Sequence, residues 1–499
     1  MHKNPLTSRQ IILKYNSLLL IFCLIFILPV AHSEPLKLPD MGDPSSAVLS
    51  PEEDRQLGQA FMRSVRRALP VVDDVEVHTY INTLGYKLLA NTDTNQAGFH
   101  FFVVDQPTIN AFAGPGGYIG VHTGLILEAQ SEGELAAVLA HEITHVTQRH
   151  LARAFQKASK ANLQTAAAIL AALILSSIDP QAAQAAIVAA TAGNIQQQLN
   201  FTRAHEKEAD WLGIETLARA GYDPSYMASF FKRLQEASRY SDSAAIPELL
   251  RTHPVTANRI SDAQSRAARY PRIADNALPG FEYVQAKLRV AQDHSRPGYV
   301  KQLENQINQS KAANPLLRYE YALALLSNNR LKQARKISDA LIQQDPENIN
   351  FITLKAKISD HLGQYDEAKQ QLADALTLYP NHPWLTVLYT RVLMADGQPE
   401  AAAKHIRALI TEQGPFSLPL YYRLLAKAQG MANHRTDSHL SLAEYYYQIG
   451  QTRPAIQQLE SALKLADEDN DYDRQRIEAK LKQLQEVALQ EEELEGGKH

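Results

Sequence analysis

Apolar residues recur along most of this chain with the 3.6-residue period of helices, and only two short stretches read as strands. Pro51-Glu52-Glu53 opens one helical pattern through Leu57, Phe61 and Val65, and a second runs from Val75 to Leu89. Phe99 to Val104 reads as a strand, and Gly114-Pro115-Gly116-Gly117 as a turn into a second strand, Tyr118-Ile119-Gly120-Val121. Ser131 and Glu134 have capping-box spacing. The apolar run behind them, Leu135, Val138, Leu139, Ile143 and Val146, predicts a helix reaching about Phe155 without proline. Arg203 opens another pattern, through Leu212, Ile214 and Leu217.

Beyond residue 300 the pattern repeats. Ala334, Ala368 and Ala402 are spaced by 34, as are Asn329, Gly363 and Gly397 at the turns, and Pro346 and Pro380. That is the period of tetratricopeptide helix pairs, which stack into a curved solenoid because one pair cannot bury its own apolar face. Ala443, Gly450, Ala455 and Ala462 mark a later unit. The step from Ala402 to Ala455 is 53, so an irregular helix near Tyr421–Met431 is expected to interrupt an array of about four units. Glu491-Glu492-Glu493-Leu494-Glu495 reads as a solvated acidic tail. Two small-residue apolar runs, Thr165–Leu175 and Ala182–Gly193, are parted by Asp179-Pro180. Each is well below the roughly 20 residues needed to cross a bilayer. They read either as helices buried on the first domain or as a mobile hairpin in peripheral contact with a membrane or substrate.

The N-terminus changes the compartment. Lys3, Arg9 and Lys14 precede an apolar run from about Leu18 to Val30, and Ala31-His32-Ser33 has the small residues of a cleavage site. This predicts a signal peptide over 1–33 and a periplasmic mature chain. Cys23, the only cysteine, would leave with it, excluding disulfides and thiolate ligands. The cut removes three positive charges and no negative ones, taking the formal charge from −4 to −7, and no basic stripe argues for nucleic acid. The organisation expected is a signal peptide (1–33), a mainly α first domain with a small sheet (34–274) and an all-α solenoid (275–499).

The chemistry concentrates in His141-Glu142-Ile143-Thr144-His145. On a helix, positions i and i+4 share a face, so two imidazoles can hold one metal ion while Glu142 reaches a water on it. Glu206 and Asp210 share a face of the later helix. Glu206 can be the third ligand, and Asp210 can orient a ligating histidine by accepting its free N–H. Two histidines and a glutamate leave one position open, the composition of a catalytic zinc site with one Zn2+ per chain. His205 lies off that face and is the weaker ligand candidate. Glu208 points away and, like His150, reads as solvated. Arg259, or the zinc itself, is a candidate for stabilising the oxyanion. His253, before Pro254, reads on its own as a capped loop histidine or a ligand.

These motifs, with Asn110-Ala111-Phe112-Ala113 upstream, resemble the zinc peptidases that include HtpX and the CAAX-prenyl endopeptidases. The resemblance extends to a soluble periplasmic branch with a C-terminal repeat domain. It implies a zincin-like α+β metallopeptidase domain whose strand edge holds substrate backbone beside the metal. In that branch the histidine matching Thr252-His253-Pro254 can occupy the open metal position, which makes His253 a candidate fourth ligand in a latent state. The resemblance also implies quality control of outer-membrane β-barrel proteins, with unfolded or stalled barrels and the barrel assembly machinery as partners. The expected function is zinc endopeptidase. The rivals are a non-enzymatic chaperone or adaptor acting through the solenoid over a latent site, and a hydrolase of non-peptide envelope substrates.

Overall fold

The computed structural model describes residues 50–94, 98–155, 203–239, 248–272, 276–293, 296–309, 314–414, 417–466 and 471–496. The expected signal peptide, Cys23 and the 161–199 segment lie outside the described residues. No described helix is long and apolar enough to cross a membrane.

Helix α1 (Pro51–Ala68) starts at a capping box in which Ser50 and Glu53 satisfy each other's N–H groups. Its apolar stripe, Leu57, Phe61, Met62 and Val65, is buried. Helix α2 (Val75–Leu89) is capped by the Asp74 carboxylate, which accepts from the Glu76 and Val77 N–H groups. Strands β1 (His100–Val104), β2 (Ala111–Ala113) and β3 (Tyr118–His122) form a sheet in the order β1-β3-β2. β1 runs parallel to β3 with His100 opposite Tyr118, and β2 runs antiparallel with Phe112 opposite Gly120. A short 3-10 turn, Pro115–Gly117, joins β2 to β3 and needs glycine, because Gly116 and Gly117 take φ of 65° and 77°.

Helices α3 (Thr123–Glu128) and α4 (Glu132–Thr147) follow, then α5 (His150–Phe155), α6 (Arg203–Arg219), α7 (Ser225–Arg239), α8 (Glu248–Thr252) and α9 (Ala257–Ala267). α4 is buried along almost its whole length, packed among α2, β2, α6 and α7. Its first turn holds Glu132, which accepts from the Tyr80 and Tyr222 hydroxyls and the Leu278 N–H. α6 crosses α4 closely: a Cβ on Gly213 would lie 3.3 Å from the His141 backbone nitrogen. The helix expected to run to Phe155 instead ends at Thr147, and α5 restarts after Arg149 in the left-handed region, at φ 52°.

Helix α10 (Phe281–Asp293) serves two cores. Phe281, Val284 and Leu288 face α2 and α3 in the first core, while Ala286 and Val290 pack with α11 (Tyr299–Gln309) and the first repeat. Helices of 13 and 14 residues then alternate: α12 (Pro315–Ser327), α13 (Leu331–Gln344), α14 (Ile349–His361), α15 (Tyr365–Leu378), α16 (Pro383–Ala395) and α17 (Pro399–Gln413, 15 residues). The array closes with α18 (Pro419–Met431), α19 (Arg435–Gln448), α20 (Thr452–Leu465) and the longer α21 (Asp471–Gly496). The segment expected to interrupt the repeats is α18, a regular 13-residue helix. The left-handed turn residues Gly397, Asn433 and Gly450 are 36 and 17 apart, so the second step spans one helix rather than a pair, which breaks the 34-residue spacing while α18, α19 and α20 still pack in sequence.

The solenoid touches the first domain along its length. Lys287 lies 2.7 Å from both Asp74 and Glu76, and Lys357 of α14 also pairs with Glu76. Val75 packs in a cluster with Val387 and Leu393 of α16. At the far end, Arg63 of α1 stacks over Tyr447 and Arg66 donates to the Gln448 carbonyl.

Candidate metal centre

His141, Glu142 and His145 project from the buried middle of α4, and Glu206 and Asp210 from α6 crossing above it. The next segment in the chain to arrive, α8 and the loop after it, adds His253. The donor atoms of His141, His145, Glu206 and His253 lie within 4.8 Å of one another, and all four residues are buried. His141 Nε2 is 3.0 Å from His145 Nε2, 3.4 Å from His253 Nδ1 and 3.6 Å from a Glu206 oxygen. His145 Nε2 is 3.6 Å from Glu206, and His253 Nδ1 is 2.9 Å from it. Four donors about 2.0–2.1 Å from one ion at tetrahedral corners stand roughly 3.3 Å apart, so these spacings fit a single small cation.

The surroundings fit the same group. His141 Nδ1 lies 3.0 Å from Asp210, and the Arg259 guanidinium grips Asp210 through two bonds of 2.7 Å. Burial alone would raise the Asp210 carboxyl; hydrogen bonds from His141 and Arg259 outweigh it and hold the group below its usual range. An ionised Asp210 only accepts, so His141 Nδ1 carries the proton and Nε2 turns a lone pair toward the cluster. Arg259 also reaches Glu206 at 2.8 Å and the Pro254 carbonyl at 2.9 Å. Burial works against ionised Glu206 too, but His253, His141 and Arg259 hold it down at about 2. For His253, burial disfavours the charged ring, yet Glu206 and Glu142 raise it to about 9. Glu142 is fully buried, and neither carboxylate oxygen has a hydrogen-bond donor among the described residues. Its charged neighbour is His253, whose Nε2 stands 3.6 Å away, and a water on a cation held by His141, His145 and Glu206 would supply the missing hydrogen bond.

The remaining candidates fall outside the donor cluster. His205 stacks flat on His150, with ring centroids 4.2 Å apart. His150 was expected to be solvated and is fully buried, its Nδ1 2.8 Å from His145 Nδ1. Glu208, also expected to face solvent, is half-buried with its carboxylate 3.1 Å from His150 Nε2. Both corrections have one cause: the chain breaks out of α4 at Arg149 and turns His150 back. Arg259 is taken up by two carboxylates, so it fixes ligands rather than waiting for an oxyanion.

β2 is an edge strand beside α4. Asn110 and Gly114 bond to β3, so by antiparallel alternation Ala111 and Ala113 turn their N–H and C=O groups to the open side. The same edge carries the Ile109 carbonyl, which accepts from the Leu249 N–H of α8 at 3.1 Å. The segment bearing His253 is therefore docked at the end of that edge.

The profile of peptidase family M48 matches residues 76–267, and a tetratricopeptide-repeat profile matches residues 361–428. The chain is 32% identical over 430 residues to the β-barrel assembly-enhancing protease of Escherichia coli (strain K12), covering 85% of this chain and 86% of that one. It is 34% identical over 378 residues to the β-barrel assembly-enhancing protease of Yersinia pestis, covering 74% and 75%. Over 184 residues it is 32% identical to the mitochondrial metalloendopeptidase OMA1 of Arabidopsis thaliana, covering 37% and 34%.

Proposed function

The chain belongs to peptidase family M48, in its group of β-barrel assembly-enhancing proteases, and from that premise we propose a zinc endopeptidase of the periplasm acting on misassembled outer-membrane β-barrel proteins. It is a metalloprotease, and its relatives' name supports a role in barrel assembly. The periplasmic placement rests on the signal-like run from Leu18 to Val30. The observation that carries the reading is the convergence of His141, His145 and Glu206 from two crossing helices beside Glu142, whose carboxylate accepts no hydrogen bond among the described residues.

In this reading His141, His145 and Glu206 hold the ion, a nitrogen and oxygen set that suits Zn2+. Zinc, when bound, lowers the pKa of its water and polarises the scissile carbonyl. Glu142 accepts the proton of the attacking water and passes it to the leaving amine. Asp210 keeps His141 in the tautomer that ligates, and Arg259 keeps Asp210 and Glu206 in place. The open groups of Ala111 and Ala113 hold the substrate backbone as an added strand. The solenoid binds unfolded or stalled barrel proteins, or the barrel assembly machinery.

His253 is the fourth donor and closes the site, which favours a second reading: a chaperone or adaptor with a latent metal. One comparison separates the two. Zinc-loaded wild type and His253→Ala are incubated with a purified unfolded barrel protein. An endopeptidase held latent by His253 cuts slowly as wild type and at least tenfold faster as His253→Ala. No cleavage by either would leave the adaptor reading.

A further inference from the structure

We propose that His150 and Glu208 form a positioning couple for the metal ligand His145, completing a chain of hydrogen bonds from the ion out to a carboxylate. The inference rests on the reading of His145 as a ligand and extends it to residues that the metal motif does not contain.

A ring that ligates through Nε2 carries its proton on Nδ1 and needs an acceptor there. For His141 the acceptor is Asp210. At His145, Nδ1 meets His150 Nδ1, at 2.8 Å. Two imidazole nitrogens at that distance share one proton. With the Nδ1 proton on His145, His150 must accept through its own Nδ1 and carry its proton on Nε2. That nitrogen faces the Glu208 carboxylate at 3.1 Å. Every donor in the chain then has an acceptor, and only one tautomer of each ring satisfies it.

The backbone is shaped for this contact. On a continuous helix, a residue five positions after His145 would sit about 140° around the axis from it. Arg149 at φ 52° interrupts the helix, a conformation that is uncommon for a side-chain-bearing residue and concentrates at functional sites. The turn brings His150 back beneath His145, and His205 lies flat against its other face. Glu208 and Asp210 sit two residues apart on α6, so one helix delivers the carboxylate end of both chains, directly to His141 and through His150 to His145.

The test measures zinc affinity of the full-length chain by competition with a chromophoric chelator, alongside the melting midpoint of the metal-free form. His145→Ala, which removes the ligand itself, sets the floor. His150→Ala should bind zinc roughly 10- to 100-fold more weakly than wild type. His150→Gln should recover most of that loss, because its amide oxygen can accept from His145 while its NH2 donates to Glu208. Glu208→Ala, at a half-buried position that tolerates the change, should weaken binding measurably with no change in melting. Wild-type affinity in His150→Ala and Glu208→Ala, or equal losses in His150→Ala and His150→Gln, would overturn the inference and leave the metal site standing. Wild type without zinc affinity would instead remove the metal reading on which it rests.

Discussion

Arg259 settles the electrostatics of the site. Two of the buried carboxylates, Glu206 and Asp210, share its single guanidinium, whose planar fork meets both, something a lysine ammonium cannot reproduce. Glu142 lies beyond its reach, with His253 Nε2 3.6 Å away as its charged neighbour. A separate buried carboxyl lies near the foot of the His253 segment. Glu248 sits beside Thr108, which also contacts His122 Nδ1 at 2.8 Å. Burial pushes the Glu248 carboxyl up to about 7, against the lowering effects of Thr108 and Arg251. A carboxyl raised on folding gives stability that is complete below its unfolded pKa, near 4.5, and lost as pH rises through about 7. Wild type should therefore lose stability relative to Glu248→Gln between pH 4.5 and pH 8. Denaturant melts of the two proteins at both pH values check this; parallel pH dependence would contradict it.

At the scale of elements, the site is a crossing of two helices. Gly213 sets how close α6 comes to α4, since a Cβ there would meet Met227 at 3.1 Å and the His141 and Ala140 backbone at 3.3 and 3.4 Å. Gly213→Leu should push α6 outward and carry Glu206 and Asp210 away from the histidines. Zinc affinity should fall at least tenfold while helix content is kept, as competition titration and circular dichroism would record. Unchanged affinity would mean that the crossing does not hold the ligands. The metal motif was legible because i, i+4 spacing on a helix is a local rule that needs no tertiary information. Two of the three strands, the N-cap at Ser131 and the 34-residue repeats were legible for the same reason, whereas the three-residue β2 was not, and Glu134 turns its carboxylate to the Gln130 N–H rather than closing a capping box. What the sequence did not disclose depends on contacts between distant segments. The bend at Arg149 has no glycine or proline to announce it, so His150 and Glu208 read as solvated. The Arg259 pairing joins α9 to α6, and no spacing rule points to it. The step of 53 residues arises because one helix more than the pairs require stands between Ala402 and Ala455, so the period is interrupted while α18 itself stays regular.

At the scale of the molecule, the solenoid is fastened to the first domain at three places: the Lys287 and Lys357 pairs with α2, the α16 packing on Val75, and the α1 contacts with Tyr447 and Gln448. α10 lies in both cores, and Leu278 just before it bonds to Glu132 at the start of the motif helix. A chain ending at residue 274 should therefore lose its metal site together with Phe281, Val284 and Leu288. One ending at residue 309 should still bind zinc and cut an unfolded protein. Equal behaviour of the two truncations in metal content and cleavage would contradict a shared helix.

The central claim is that one ion, held by His141, His145 and Glu206, works with Glu142 on a peptide bond. It is tested most directly by measuring bound zinc and cleavage of an unfolded barrel protein together, for wild type and Glu142→Gln. Both proteins should hold one zinc per chain, and Glu142→Gln should lose about 100-fold or more of the cleavage rate, the scale of a missing general base. Cleavage by Glu142→Gln at the wild-type rate, or a wild type that binds no zinc, would contradict it.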